Sequence, residues 1–219
     1  LLHAERYESG EITHFAKTGA HDHTSDDHAA KTEGTEASHD HSSHDHDSPV
    51  GFELDLKRDG LSVLFSIVVY VGYGLMLAAG FAYAKMRGHT ITARTGLLWG
   101  LAGFAALHLM PSFGLPIEMP GSAAADLNAR QFWWFGTAVA TALAAWMIGY
   151  GTNAMHYGLA IVALAGPHII GAPQPDGFYG PTPPELASLY ASRALVTAMI
   201  GWSVLGVLAG YFWHSDDTV

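Results

Sequence analysis

Leu61 to Ala84 is a run of 24 residues without a charged side chain, and it constrains the fold more than any other feature of the chain. As a helix rising 1.5 Å per residue it is long enough to cross a hydrocarbon core of about 30 Å. Charged residues make up 14% of the whole sequence, against about a quarter in a typical soluble domain. Lipid is therefore the expected solvent for most of the chain. Gln131–Tyr150 and Ala194–Trp213 are two further stretches apolar around the whole helix rather than along one stripe. Gly96–Met110 and Met155–Ala172 are shorter or interrupted, the first closing at Pro111 and the second broken at Gly166-Pro167-His168. A bilayer leaves no water for open backbone groups, so each segment at membrane depth must be helical. The reading is an all-α integral membrane protein, a bundle of five transmembrane helices over about 61–84, 95–110, 131–150, 155–172 and 194–213.

Charge is distributed unevenly along this pattern. Residues 1–59 hold 14 of the 20 acidic side chains and 5 of the 10 basic ones, a local charge of −9, while residues 60–219 carry −1. Lys85, Arg87 and Arg94 form the densest basic cluster beside any span, which places that connection in the cytoplasm. Residues 1–59 then lie outside and the tail 214–219 inside, giving a multi-pass protein of the cytoplasmic membrane. Leu1-Leu2 reads like the exit of an apolar segment, so a sixth helix or a signal sequence is expected ahead of it. An acidic chain lacks the electrostatic footprint of a nucleic-acid binder. With no cysteine, thiolate metal sites and a cysteine nucleophile are excluded. Gly96 and Gly100, and likewise Gly206 and Gly210, have the four-residue spacing that lets membrane helices approach closely.

Seven of the 14 histidines fall between His21 and His46: His21-Asp22-His23, His28, His39-Asp40-His41 and His44-Asp45-His46. The segment has too few large apolar side chains to offset the entropy of ordering, so its composition predicts disorder. In an extended chain the two imidazoles of each His-x-His unit point the same way and can close on one ion. Imidazole with carboxylate suits cobalt, nickel, zinc and copper, and a flexible cluster of this kind follows the general affinity order rather than selecting one metal. A solvated acidic linker or a pH-sensitive segment is the plainer alternative.

His108 and His168 stand within or at the end of apolar segments, both beside proline-interrupted backbone. An ionisable group there is costly unless it meets a partner or a cavity, which makes it a functional candidate; snorkelling to the interface is the plainer account. The loop Pro111–Gly121 adds Glu118, a carboxylate close in sequence to His108. Arg130 is expected to pair with Asp126 one turn away, and Trp133-Trp134 to belong to an interfacial aromatic belt.

The run Arg94–Pro111, the loop Gly114–Gly121, the segment Ala125–Trp134 and the segment Pro167–Pro175 together resemble the CbtA family of predicted cobalt transporter subunits. The resemblance covers essentially the whole chain. It implies cobalt uptake for cobalamin synthesis together with a small CbtB-type membrane subunit, and its His-Pro motifs fall on His108 with Pro111 and on His168 with Pro167. The expected function is transport of a divalent transition metal, without catalysis or a tightly bound cofactor: His21, His23, His28, His39, His41, His44 and His46 collect the ion, and His108, His168 and Glu118 receive it. Cobalt is the first candidate, nickel and zinc the next. No Gly-rich loop ending in Lys-Ser/Thr is present, so ATP is not the energy source within this chain. Two other readings are a membrane redox protein with His108 and His168 as axial haem ligands, and a metal sensor or chaperone without a conduction path.

Overall fold

The computed structural model describes residues 56–216, and the collecting histidines 21–46 lie outside them. Among the described residues the structure is entirely helical: α1 (Leu56–Met86), α2 (Ala93–Phe104), a π-helical turn (Ala105–Leu109), α3 (Met110–Ser112), α4 (Leu127–Tyr150), α5 (Ala154–Ile170) and α6 (Pro184–Asp216). Chain contacts divide the described residues into two units, Leu56–Val69, the first half of α1, in one and Tyr70 onwards with the remaining helices in the other. The packing described below belongs to the second of these units.

Local chemistry accounts for the boundaries. α1 has Asp59 in its first turn and Lys85 in its last, each on the favourable side of the helix dipole. It stops where Gly88 takes φ +84, with Gly88 N–H donating to Lys85 C=O at 2.9 Å and His89 N–H to Ala84 C=O at 3.0 Å. Thr92 caps α2 through a reciprocal pair with Thr95: Thr92 N–H donates to Thr95 Oγ1 at 2.7 Å and Thr95 N–H to Thr92 Oγ1 at 3.3 Å. Asp126 caps α4 and Asn153 caps α5. Gly171, at φ +87, ends α5.

Both prolines that were expected to close or break a helix are carried inside one. Pro111 cannot donate a hydrogen bond, and its ring crowds the carbonyl one turn back. The ladder before it widens, so that Met110 N–H reaches Ala105 C=O five residues away and the helical path continues to Ser112. Pro167 likewise sits within α5, which runs three residues beyond it. Among the described residues three helices, within Asp59–Met86, Leu127–Tyr150 and Pro184–His214, are long and apolar enough to span a membrane. α5 is shorter, and the α2 segment reaches a comparable length only through the π turn.

α2 and α6 run antiparallel along a glycine seam. A Cβ added at Gly96 would strike the Gly206 carbonyl and come within 2.9 Å of Gly210 Cα, and one at Gly100 would strike the Trp202 carbonyl and come within 3.1 Å of Gly206 Cα. The two four-residue glycine pairs thus belong to one interface, backbone on backbone, as close approach in lipid requires. α4 and α5 form the second antiparallel pair, joined by the short connection Gly151–Asn153. Leu77, Phe81, Phe104 and Trp202 are buried at the centre. Leu75, Val139, Leu143, Ile161, Val162, Val204 and Leu208 point outward and are exposed. Such apolar rows oppose solution in water and suit lipid.

Candidate functional site

His108 is carried by the π turn. Its ring lies 6.1 Å from that of Tyr73 on α1 and 6.3 Å from that of Trp202 on α6, edge-on to both, and 6.2 Å from Phe104. Tyr73 in turn stacks on Trp202 at 4.6 Å. Within this aromatic nest His108 Nδ1 and Trp202 Nε1 are buried and have no hydrogen-bond partner among the described residues. Each such group costs about 1–3 kcal/mol of desolvation. Two of them in one cluster, at the centre of an apolar body, mark a place where packing has not been optimised for stability alone.

His168 occupies a second nest, made by Trp133 at 5.7 Å and Phe113 at 6.2 Å. Its Nε2 is also buried without a partner among the described residues. Trp133 is turned inward rather than serving only as an interfacial anchor: its Nε1 donates to the Pro167 carbonyl at 3.0 Å, fixing α4 against the end of α5. Gly114 packs so closely on Trp133 that a Cβ there would overlap the indole. Gln174 Nε2 donates to the Gly114 carbonyl at 3.2 Å, and Ala123 N–H to the Tyr179 carbonyl at 2.8 Å. These bonds tie the loops after α3 and α5 into one cover over the His168 end.

Glu118 belongs to that cover. Its carboxylate accepts from Arg130 Nη2 at 2.7 Å, each side chain being about a third exposed (31% and 27%). This replaces the expected Arg130–Asp126 pair. Asp126 is occupied as the cap of α4, where its Oδ1 accepts from Ala129 N–H at 2.9 Å, leaving the guanidinium for the loop carboxylate. His108, His168 and Glu118 are not gathered into one chelating group: among the described residues no three His, Cys, Asp or Glu side chains converge as a metal cluster would. The two imidazoles share none of the ring neighbours named above.

Tyr73, Trp133 and Trp202 escaped the reading of the sequence as site residues. A signal for Trp202 was available in its position. Belt aromatics stand at the ends of spans, whereas Trp202 is near the middle of one and 1% exposed.

Fold and site together define a helical membrane protein with two half-buried imidazoles set in aromatic nests, each with one buried ring nitrogen. The family model described as the probable cobalt transporter subunit CbtA matches residues 1–214. The chain belongs to the CbtA family. No curated protein and no solved structure matches it.

Proposed function

We propose that this protein is the spanning subunit through which a divalent transition metal, cobalt in the first place, is taken up for cobalamin synthesis. The observation that carries the reading is that His108 and His168 each keep a buried ring nitrogen with no hydrogen-bond partner among the described residues. Neutral imidazole nitrogen is a ligand for cobalt, nickel and zinc alike. Separate single-histidine stations suit passage better than a closed chelate, because a transported ion must bind well enough to enter and weakly enough to leave. Residues 21–46 collect the ion on the outer face, and Glu118 adds its carboxylate at the mouth, where Arg130 holds it until a dication competes for it. Entry into a negative interior yields about 2.3 kcal/mol per charge per 100 mV, or roughly 4.6 kcal/mol for a dication. A small CbtB-type membrane subunit completes the transporter.

Uptake of radioactive cobalt into cells producing the full-length protein, with and without that partner, tests the reading. His108→Ala and His168→Ala should each lower uptake at least about tenfold, the scale of losing one ligand interaction of 1.4 kcal/mol or more. Deletion of residues 21–46 should lower it only at low metal concentration. Equal uptake in all variants sinks the site assignment, and competition by nickel and zinc ranks the metals.

A further inference from the structure

A groove of about 600 Å³ opens between α1, α2 and α4; it shares Tyr73 and Trp202 with the His108 nest and touches none of the residues of the His168 nest. Its length along α4, from Trp134 to Tyr150, is about 24 Å at the helical rise, close to the depth of a hydrocarbon core. Ala102 of α2, Ala106 of the π turn and Ala138, Ala142, Ala145 and Gly149 of α4 keep it open, since none reaches far across it. The lining is apolar along most of this length. Polar groups gather at one end, where Trp99 Nε1 donates to Tyr150 Oη at 2.8 Å and the His89 ring lies 4.2 Å from that of Tyr150.

That same end carries the basic residues. Of the five Lys and Arg side chains after residue 60, three are Lys85, Arg87 and Arg94, and the connection Arg87–Thr92 contains no acid. Arg87 stands 5.9 Å over the Tyr83 ring, which in turn lies 5.1 Å from Trp146 in the groove wall. Arg94 is exposed and begins the i,i+4 row Arg94, Leu98, Ala102, Ala106, whose last three members line the groove. Side chains on a helix lean towards its N-terminus, so Arg94 extends from the groove's end towards the interface.

We propose that this groove is a binding site for an anionic phospholipid, one acyl chain lying along α2 and α4 and the phosphate headgroup between Arg87 and Arg94. Charge complementarity decides the occupant. An apolar trough at membrane depth accepts a hydrocarbon chain from any lipid, but exposed Arg87 and Arg94, on either side of a connection without acids, select a negative headgroup, worth about fivefold in affinity for each basic side chain. The site rests on the membrane placement of the chain and not on metal transport, so either reading can fail alone.

Native mass spectrometry of the full chain, exchanged from nanodiscs into detergent with phosphatidylglycerol or phosphatidylcholine of identical acyl chains, tests it. Wild type should retain phosphatidylglycerol roughly thirtyfold better than phosphatidylcholine. Arg87→Gln/Arg94→Gln, both exposed substitutions, should bind the two lipids equally. Gly149→Leu, placed where an added Cβ meets nothing within 4 Å, and Ala142→Trp should lose both lipids by filling the trough. Three results would each overturn the proposal: equal retention of the two lipids by wild type, unchanged retention in the groove variants, or a photo-crosslinker at residue 142 that labels a polypeptide instead of lipid.

Discussion

At the scale of single residues, the position of a charge mattered less than what already held it. Glu118 is the carboxylate nearest in sequence to His108, yet its partner is a guanidinium 12 residues away in the chain. A pair about a third exposed, as this one is, contributes under about 1 kcal/mol. Glu118→Gln should therefore barely move the thermal midpoint in detergent. Arg130→Gln should free the carboxylate and raise cobalt uptake at sub-saturating metal, and adding Glu118→Gln to it should remove the gain. No gain in the single variant would take Glu118 out of the path. Sequence spacing pointed to Asp126 for Arg130 because i,i+4 geometry is a local rule; it could not register that capping α4 had already engaged Asp126.

At the scale of elements, proline shapes the two histidine-bearing helices without ending them. The π turn before Pro111 inserts one extra residue into the helical path, which turns His108 by roughly a third of a revolution relative to an unbroken α-helix. Pro111→Ala restores the missing donor and lets the turn revert, swinging His108 out of register with Tyr73 and Trp202. Helix content by circular dichroism should be unchanged or slightly higher while cobalt uptake falls; retained uptake would show that the π turn does not position His108. Trp133→Phe removes the bond to Pro167 and leaves most of the packing. It should lower stability by about 1 kcal/mol, read as a modest drop in the thermal midpoint. Both prolines were visible in the sequence, but their effect was overestimated, because neighbouring helices can support a backbone that proline would break in isolation.

At the scale of the whole molecule, the α2–α6 glycine seam decides how the helices assemble. Gly100→Leu or Gly206→Leu drives a side chain into opposing backbone, which cannot move aside as a flexible side chain would. Each should cost at least about 1–3 kcal/mol. Gly136→Ala, on α4 with nothing within 4 Å of the added Cβ, should be neutral or stabilising by up to about 1 kcal/mol through helix propensity. Thermal midpoints in one detergent separate the two classes. The metal capture proposed for residues 21–46 carries its own expectation, since free histidine titrates near pH 6.5 and protonated imidazole does not bind metal. Calorimetric cobalt binding by the full chain should weaken as pH falls from 7.5 to 5, and the deletion of 21–46 should lose most of that dependence.

The sequence by itself determined the helical membrane class, the approximate places of the apolar segments and the two histidines worth testing. Each of these follows from the character of a continuous run: lipid leaves an uncharged stretch little choice but a helix, and an imidazole inside one is conspicuous. Which elements meet was decided only by the tertiary structure. That Gly96 and Gly100 face Gly206 and Gly210, that Trp202 comes to rest beside His108, and that Arg130 takes Glu118 are contacts between segments distant in the chain. They depend on how the helices pack against one another, and no local period or spacing encodes that choice.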